Sequence, residues 1–256
     1  MAFDVVPIWL VFLGTMALVL LCIELGIVDG RRRVRLGRRK LEVSGAIVGA
    51  AMGVLAFMLA FTFNSAAGRF DARKALVIEE TNAIETTWLR AGFLEDAARA
   101  EMRGLLRDYV DLRVKFALGE LTIEDGLHQT DTLHTRLWAI AETAGRRDGH
   151  AITTGLLIES LNEVIDVHLK RLSVSLRTRV PGSIWSGLYL LLAVGMVMMG
   201  LQIGQAVGRH FALELALAAT FALVFTLISD LDRPQQGLLR VSQQSMEELQ
   251  IKLHQP

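Results

Sequence analysis

Four apolar stretches, each about twenty residues long, constrain this 256-residue chain more than any other feature. About 20 apolar helical residues are needed to cross the hydrocarbon core of a bilayer. The stretches, named spans one to four, cover residues 8–28, 43–63, 184–203 and 211–229. Backbone groups in lipid must be satisfied internally, which a helix does within its own segment. The sequence therefore predicts an all-α integral membrane protein with four transmembrane helices.

A cluster of positive charge separates spans one and two. The stretch "GRRRVRLGRRK", residues 30–40, carries seven Lys and Arg side chains, although the net charge of the whole chain is zero. A balanced charge disfavours a nucleic-acid partner, whereas basic residues beside a bilayer meet lipid headgroups. Short basic loops resist translocation. We therefore predict that loop 30–42 is cytoplasmic, and the same rule places the segment between spans two and three on the exterior side.

That central segment, residues 64–182, holds most of the charge and is predicted to be helical almost throughout. It contains no proline before Pro181 and is rich in Ala, Leu, Arg and Glu, which are strong helix formers. The predicted helices are a continuation of span two to about residue 92, then 96–118 with Asp96 as its N-cap, 123–145 and 150–180. Thr122 and Asp125 resemble a capping box at the start of the third helix. Spans two and three are thus expected to continue as long antiparallel helices on which the shorter ones pack.

The predicted organisation has four parts. Residues 1–63 hold spans one and two with the basic loop 30–42, and residues 64–182 form an extramembrane helical bundle built on extensions of spans two and three. Residues 183–230 hold spans three and four. Residues 231–256 form a tail in which one amphipathic helix is expected.

Span two carries small residues at helical spacing, which allow close approach of helix backbones. Two interpretations stay open: tight packing within one subunit, or the lining of a narrow apolar pore with Asn64 at its mouth, where a constriction can gate by dewetting. The pore-lining candidates are Gly49, Gly53, Phe57, Ala60, Phe61 and Asn64.

Charged and amide side chains occur at matched heights on the two long helices. Arg69 and Arg73, with Arg171, would form a basic belt near the membrane, and acidic and amide residues would lie further out. Either the helices exchange salt bridges within a bundle, or the charges form a vestibule that concentrates ions. The vestibule candidates are Arg69, Arg73, Glu80, Asn82, Asn162, Glu163, Asp166 and Arg171.

No pattern of catalytic residues is found in the sequence. The six histidines are scattered without the spacing of a zinc site, and the one cysteine, Cys22, lies within span one. There is no nucleophile elbow and no phosphate-binding loop. We therefore predict a protein that is not an enzyme and that has no cofactor and no metal site.

Three segments resemble a bacterial family of multi-pass proteins called bestrophin-like. They are "FTFNSAAGRFDARKALVIEETNAIETTWLRAGFL", "LNEVIDVHLKR" and "DLDRPQQGLLRV". The family pattern falls on Arg69, Asp71, Arg73, Glu80, Asn82, Ala83, Ile84, Leu89 and Arg90, and on Asn162, Glu163 and Asp166. The chain departs from the pattern at two positions, with Thr81 and Glu85 where the pattern has Ala and Gly. A glutamate at position 85 is less suited than a glycine to close helix contact.

The resemblance implies kinship with bestrophins, which are oligomeric, mainly anion-conducting channels with an apolar neck on their second span. From it we expect a homo-oligomer, five subunits by analogy, that conducts small inorganic ions in a bacterial inner membrane. The positive charges of Arg69 and Arg73 favour anions over cations. Kinship with bestrophins would place the helical bundle in the cytosol. The charge of the basic loop 30–42 predicts the opposite, exterior side. The alternative function is a non-conducting sensor or scaffold whose helical bundle binds a partner.

Overall fold

The computed structural model of the chain describes residues 6–37, 45–147, 152–177, 179–206, 210–233 and 237–255, without the side chains of residues 176 and 177. Within these ranges the chain forms helices and no strand, which confirms the all-α prediction. The helices are α1 (Ile8–Arg35), α2 (Gly45–Arg90), α3 (Asp96–Leu118), α4 (Ile123–Arg147), α5 (Ile152–Leu172), α6 (Gly182–Gln205), α7 (Phe211–Asp232) and α8 (Gln244–His254). A short 3₁₀ turn, Ala91–Phe93, follows α2, and a π-helical turn, Ser173–Arg177, follows α5.

Helices α1, α2, α6 and α7 are long and apolar enough to cross a membrane. They contain the predicted spans one, three and four and residues 45–63 of span two, so the prediction of an integral membrane protein with four transmembrane helices is confirmed. Residues 43 and 44 lie outside the described residues. Helix α2 has 46 residues and continues without a break from span two into the charged central segment. At 1.5 Å per residue it is about 69 Å long, more than twice the thickness of a bilayer core.

Two helix ends differ from the prediction. Helix α1 runs to Arg35, so residues 30–35 of the predicted basic loop are helical. Arg is a strong helix former, its charge is favourable at a helix C-terminus, and Arg33 Nε lies 2.7 Å from Asp29 Oδ2. The rest of loop 30–42 beyond Gly37 lies outside the described residues. Helix α5 gives way to the π-helical turn at Ser173, short of the predicted end at residue 180.

The chain divides into two compact units, and unit 1 consists of residues 1–70 and 179–240. Its apolar core joins α1, the first part of α2, α6 and α7, with side chains such as Ile23, Leu55, Leu192 and Phe225 fully or almost fully buried. Burial of such side chains excludes water and lipid alike, and close packing is the main force between helices in a membrane.

A close backbone contact in unit 1 joins α1 and α6 through glycines. A Cβ atom added at Gly26 would lie 2.2 Å from the Val197 carbonyl oxygen, and one at Gly204 would lie 2.4 Å from the Ile27 carbonyl oxygen. Gly26 and Gly30 on α1, like Gly200 and Gly204 on α6, are four residues apart. The two backbones therefore approach to a distance that only glycine permits.

Unit 2 consists of residues 71–178 and 241–256. Its core contains Ile84 of α2, Leu106 of α3, Leu137 of α4 and Leu161 of α5, and the tail helix α8 adds Leu249. The predicted amphipathic tail helix is confirmed as α8.

The N-cap residues in unit 2 match the prediction at α4 and differ from it at α3. At α4, the Asp125 backbone N–H donates to Thr122 Oγ1 at 3.1 Å, as the predicted capping box requires. At α3, Asp96 lies in the first turn and Glu95 is the capping residue, not Asp96 as its residue type suggests, because the chain is still extended at Glu95.

Candidate functional site

The six pore-lining candidates share one exposed line on α2. Gly49, Gly53, Phe57, Ala60, Phe61 and Asn64 are all exposed in the single chain. The Phe57 and Phe61 side chains are 70% and 63% exposed, although both are large and apolar. A Cβ atom added at Gly49 or Gly53 would meet nothing within 4 Å. The interpretation that these small residues pack tightly within one subunit is therefore wrong.

The opposite face of α2 packs into the core of unit 1. Leu55 and Leu59 are buried, and Met52 contacts α6 so closely that a Cβ atom at Gly195 would lie 1.8 Å from its terminal methyl carbon. Helix α2 thus has one face fixed by its own chain and one face left open. The open face is the one that carries the small residues and the two phenylalanines.

Arg69, predicted for the basic belt, forms an ion pair within unit 1. Its Nη1 lies 3.2 Å from Asp232 Oδ1, and its Nη2 donates to Ser65 Oγ at 2.9 Å. Asp232 also accepts a hydrogen bond from the Val180 backbone N–H at 3.1 Å. The Arg69 charge is therefore largely matched by a carboxylate that is 7% exposed.

A second aspartate of α7 holds the backbone that follows the helix. Asp230 accepts hydrogen bonds from the backbone N–H groups of Leu238 at 2.9 Å and Leu239 at 2.8 Å. Gly237 lies against the same carboxylate with a φ of 143°, where a side chain would be strained and would collide with it. The "DLD" sequence at the end of span four therefore organises the backbone around the end of the helix.

Glu80 is the centre of a buried charge network in unit 2. Its side chain is fully buried, and the Tyr109 hydroxyl donates to Glu80 Oε1 at 2.5 Å. Arg113 Nε lies 3.3 Å from the same oxygen, and Arg171 donates to Glu80 Oε2. Glu80 and Arg171 were both predicted vestibule residues, and the structure brings them together as an ion pair. Arg73, on the same face of α2, is also buried.

The network changes the acidity of its members. Burial raises the pKa of the Glu80 carboxyl, but the charges of Arg113 and Arg171 and the hydrogen bond from Tyr109 outweigh burial and lower it from 4.5 to about 2. Burial, together with the Glu80 charge, raises the pKa of the Tyr109 hydroxyl well above 10. Glu80 is therefore a carboxylate at every physiological pH, and Tyr109 remains a hydrogen-bond donor.

Two histidines that belong to no sequence motif complete this cluster. The His134 ring lies 5.0 Å from the Tyr109 ring and 5.2 Å from the His168 ring, measured between centroids. Burial lowers the pKa of His134 from 6.5 to about 4 and that of His168 to about 3, and the Arg113 charge acts in the same direction. Both rings are therefore neutral at pH 7. Of this cluster, the sequence analysis had singled out only Glu80 and Arg171; Tyr109 and Arg113, four residues apart on α3, share a helix face and were not recognised.

The remaining vestibule candidates stay on the surface of unit 2. Asn82, Asn162, Glu163 and Asp166 are exposed, and Lys170 Nζ lies 3.2 Å from Glu79 Oε1 and 3.8 Å from Glu163 Oε1. The predicted set is thus divided into a buried charge network around Glu80, an exposed polar surface, and Arg69, which pairs with Asp232 within unit 1. Within the described ranges, no group of three His, Cys, Asp or Glu side chains is arranged to hold a metal ion.

Comparison with known proteins identifies the family and the fold. A family model described as the bestrophin-like domain matches residues 16–246. No curated protein matches the chain by sequence.

Solved structures of a bacterial bestrophin homolog from Klebsiella pneumoniae share the fold. One of its point mutants is 16% identical with a TM-score of 0.71, covering 94% of this chain and 97% of that one. A second structure is 15% identical with a TM-score of 0.69, covering 94% and 96%. Another mutant is 16% identical with a TM-score of 0.68, covering 95% and 99%.

Proposed function

The chain belongs to the bestrophin-like family, and from that membership we propose that it forms a homo-oligomeric ion channel of the bacterial inner membrane. In this proposal the open face of α2 lines an apolar pore, anions are preferred over cations, and five subunits assemble by analogy with bestrophins. The chain has no enzymatic role in the proposal. Loop 30–42 lies in the cytoplasm, where it meets lipid headgroups.

The observation that carries the proposal is the composition of the open face of α2. Many exposed positions on the other spans are bulky and aliphatic, such as Leu21 and Leu25 on α1 and Leu213 on α7, each more than half exposed. The open face of α2 instead presents Gly49 and Gly53. Small residues favour close approach of another helix rather than contact with lipid. A symmetric assembly of copies around α2 would use this face.

The two exposed phenylalanines supply a constriction for the pore. Phe57 and Phe61 are four residues apart, so their rings lie one turn apart on the same side of α2. A ring of such side chains contributed by several subunits would make a narrow apolar passage that water leaves readily. Such a passage restricts ion flow until it widens.

The preference for anions rests on kinship and on the neutrality of the open face. Residues 45–64 of α2 contain no charged side chain, so no carboxylate would repel an anion there. Asn64 ends this stretch, and its amide N–H₂ group can donate hydrogen bonds to an anion. Arg69, which pairs with Asp232, and the buried Arg73 do not belong to this surface.

The second candidate function is a non-conducting sensor or scaffold that binds a partner through unit 2. The exposed amides of Asn82 and Asn162 and the carboxylate of Asp166 would supply the polar rim of such an interface. Under this alternative the open face of α2 serves helix packing between copies and encloses no conducting axis.

Ion flux through liposomes carrying the purified protein tests the proposal. We expect chloride flux to exceed potassium flux, and we expect Phe57→Ala to conduct faster than the wild type because the constriction is widened. Leu213→Ala is the matched control, since it removes an equally exposed apolar side chain from α7. Absence of flux under every gradient would refute the channel and favour the scaffold.

A further inference from the structure

A cavity of about 340 Å³ lies in unit 1 between α1, α6 and α7. The residues that line it are Ile23 of α1, Met199 and Ile203 of α6, and His210, Leu213, Glu214 and Leu217 of α7. Five of these seven side chains are apolar. An engineered apolar cavity of about 150 Å³ in another protein already holds one benzene molecule. By the ratio of the volumes, this cavity is large enough for a chain of roughly a dozen carbon atoms.

The wall that α1 and α6 form is rigid. Their backbones already touch, because a Cβ atom added at Gly204 would lie 2.4 Å from the Ile27 carbonyl oxygen. The two helices therefore cannot move closer together to fill the space, and Ile23, which is 1% exposed, forms a fixed part of the wall. Met199 is the adaptable part, because its unbranched thioether side chain has three rotatable bonds. The cavity is thus preformed, as binding sites for apolar ligands usually are.

The cavity opens to the surface of unit 1 beside Leu213. This side chain is 69% exposed, whereas its neighbour Glu214 is buried. Leu213 and Leu217 are four residues apart on one face of α7, so apolar surface continues from the opening into the cavity. Helix α7 is long and apolar enough to cross a membrane, and the medium around such a helix is lipid hydrocarbon rather than water. An apolar cavity stays dry, so hydrocarbon is the material that suits this one.

The two polar lining residues lie at one end of the cavity. His210 immediately precedes α7 and is exposed, and Glu214 lies in the first turn of the helix. Glu214 already takes part in a polar interaction, so apolar contact rather than charge selects the ligand. The start of a membrane-spanning helix lies close to the lipid headgroups. From there the lining reaches Leu217, seven residues or about 10 Å along the helix axis, which matches a chain that descends from a headgroup near His210.

We propose that this cavity binds one acyl chain of a membrane phospholipid, with the headgroup outside the cavity near His210. The proposal goes beyond the channel, because no residue of the open face of α2 lines the cavity. Loss of chain binding would therefore leave the proposed pore intact, and absence of conduction would leave the chain site intact. A second copy of this protein is the other body that can cover the opening, and the experiment separates the two.

The first measurement is the thermal unfolding midpoint of the purified full chain in a detergent with a rigid steroid tail, which is too bulky for a cavity of this volume. Dioleoyl phosphatidylcholine, dioleoyl phosphatidylglycerol or glycerophosphocholine, a headgroup without chains, is then added. We expect both phospholipids to raise the midpoint by about 3 °C, because a ligand that binds only the folded state stabilises it. Glycerophosphocholine should leave it unchanged.

The second measurement locates the chain. A phosphatidylcholine with a photoreactive diazirine in the middle of one acyl chain is added to the same sample, and the crosslinked residues are identified by mass spectrometry. We expect a crosslink at Ile23, because this side chain is 1% exposed and lines the cavity. Lipid that merely coats the surface of unit 1 would react at exposed side chains such as Leu213 and Leu190 and leave Ile23 unlabelled.

The variant Leu217→Trp should fill the cavity and remove most of the lipid-dependent rise and the Ile23 crosslink. Leu223→Trp is the matched control, because it makes the same change on the same helix at an exposed position that does not line the cavity. Without lipid, Leu217→Trp should unfold at a midpoint at least as high as that of the wild type, because a filled cavity regains van der Waals contacts. Met199→Phe fills the same space with a smaller ring and keeps the test valid if Leu217→Trp does not fold.

Each outcome supports or overturns the proposal. A rise with both phospholipids that a filling variant removes and Leu223→Trp retains, together with the Ile23 crosslink, supports it. A rise with phosphatidylglycerol alone overturns it in favour of headgroup recognition. A midpoint that rises with protein concentration and not with lipid overturns it in favour of a second copy over the opening. Equal lipid-dependent rises in the wild type and the filling variants overturn it altogether, because the lipid then acts elsewhere.

Discussion

Gly200 of α6 lies directly against Ile23 of α1, so close that a Cβ atom at position 200 would stand 2.1 Å from the Ile23 carbonyl oxygen. Neither backbone can move away without separating Gly26 from Val197 and Gly204 from Ile27 as well. We expect Gly200→Ala to lower the unfolding midpoint by about 3–10 °C, as overpacking does in a chain of this size. Differential scanning fluorimetry in detergent measures this.

The control for Gly200→Ala is Gly187→Ala on the same helix, where an added Cβ atom meets nothing within 4 Å. It should leave the midpoint unchanged or raise it slightly, because alanine is the better helix former. Equal effects of the two substitutions would contradict the close contact between α1 and α6.

Removal of the Glu80 charge should destabilise unit 2 strongly. Glu80→Gln leaves Arg113 and Arg171 without their shared carboxylate, and breaking a buried pair in this way costs about 3–5 kcal/mol. Tyr109→Phe removes one hydrogen bond to a charged group and should cost about 1.5–3 kcal/mol. Chemical denaturation of the full chain, followed by circular dichroism, would give both values.

The neighbouring residue supplies the comparison for Glu80. Glu79→Gln removes an equal charge from an exposed pair with Lys170, and exposed pairs contribute less than about 1 kcal/mol. If Glu79→Gln lowered the unfolding free energy as much as Glu80→Gln, burial would not explain the stability that the Glu80 network contributes.

Stability should fall as the solution becomes acidic. The pKa values of His134 and His168 in the folded chain are about 4 and 3, so below pH 6.5 the unfolded chain binds protons that the folded chain does not. The pKa of Glu80 is about 2, so its contribution is present above pH 4.5 and is lost between pH 4.5 and 2. Between pH 7.5 and 5, where the histidines act, we expect a loss of about 3–4 kcal/mol.

Denaturation of the full chain at several pH values measures this slope. His168→Gln should reduce the slope between pH 7.5 and 5, whereas His128→Gln, an exposed position on α4, should preserve it. If His168→Gln left the dependence of the unfolding free energy on pH unchanged, the acid sensitivity would not arise from this cluster.

Arg69 and Asp232 should be coupled energetically. In a double-mutant cycle with Arg69→Gln and Asp232→Asn, residues that share an ion pair show a coupling energy of about 0.5–3 kcal/mol. The unfolding free energies of the wild type, the single variants and the double variant provide it. Strictly additive losses would mean that the 3.2 Å contact contributes nothing.

The open face of α2 should react with water-soluble thiol reagents. In a Cys22→Ala background, which removes the one native thiol, Ala60→Cys should be modified by a charged methanethiosulfonate reagent and its ion flux should decrease. Leu213→Cys, exposed on α7, should face lipid and leave the flux unchanged. Equal protection of both cysteines from the reagent would argue against a water-accessible pore along α2.

Local features could be predicted from the sequence because neighbouring residues determine them. The predicted helix 96–118 matches α3, and the Thr122–Asp125 capping box is formed. Four apolar stretches were sufficient to identify the four spans, since length and hydropathy alone set that requirement. The small residues of α2 were also recognised, although the sequence could not show which face remained open.

Contacts between distant residues were not predictable in the same way. Gly26, Gly30, Gly200 and Gly204 have the four-residue spacing of a close helix contact, but nothing in the sequence pairs α1 with α6. His134 and His168 lie on different helices and meet only because α4 and α5 pack around Tyr109. Such clusters depend on which helices pack together, and the local spacing of residues in the sequence does not reveal that.

The aspartates at the end of span four have a consequence for how the sequence can vary among relatives. Asp230 and Asp232 bind the backbone N–H groups of Leu238, Leu239 and Val180 rather than their side chains. Any residue except proline offers the same donor, so the exposed positions 238 and 239 are free to change over evolutionary time, whereas the two aspartates are not. We therefore expect relatives to keep the two aspartates while the residues that donate the backbone N–H groups at positions 238 and 239 vary.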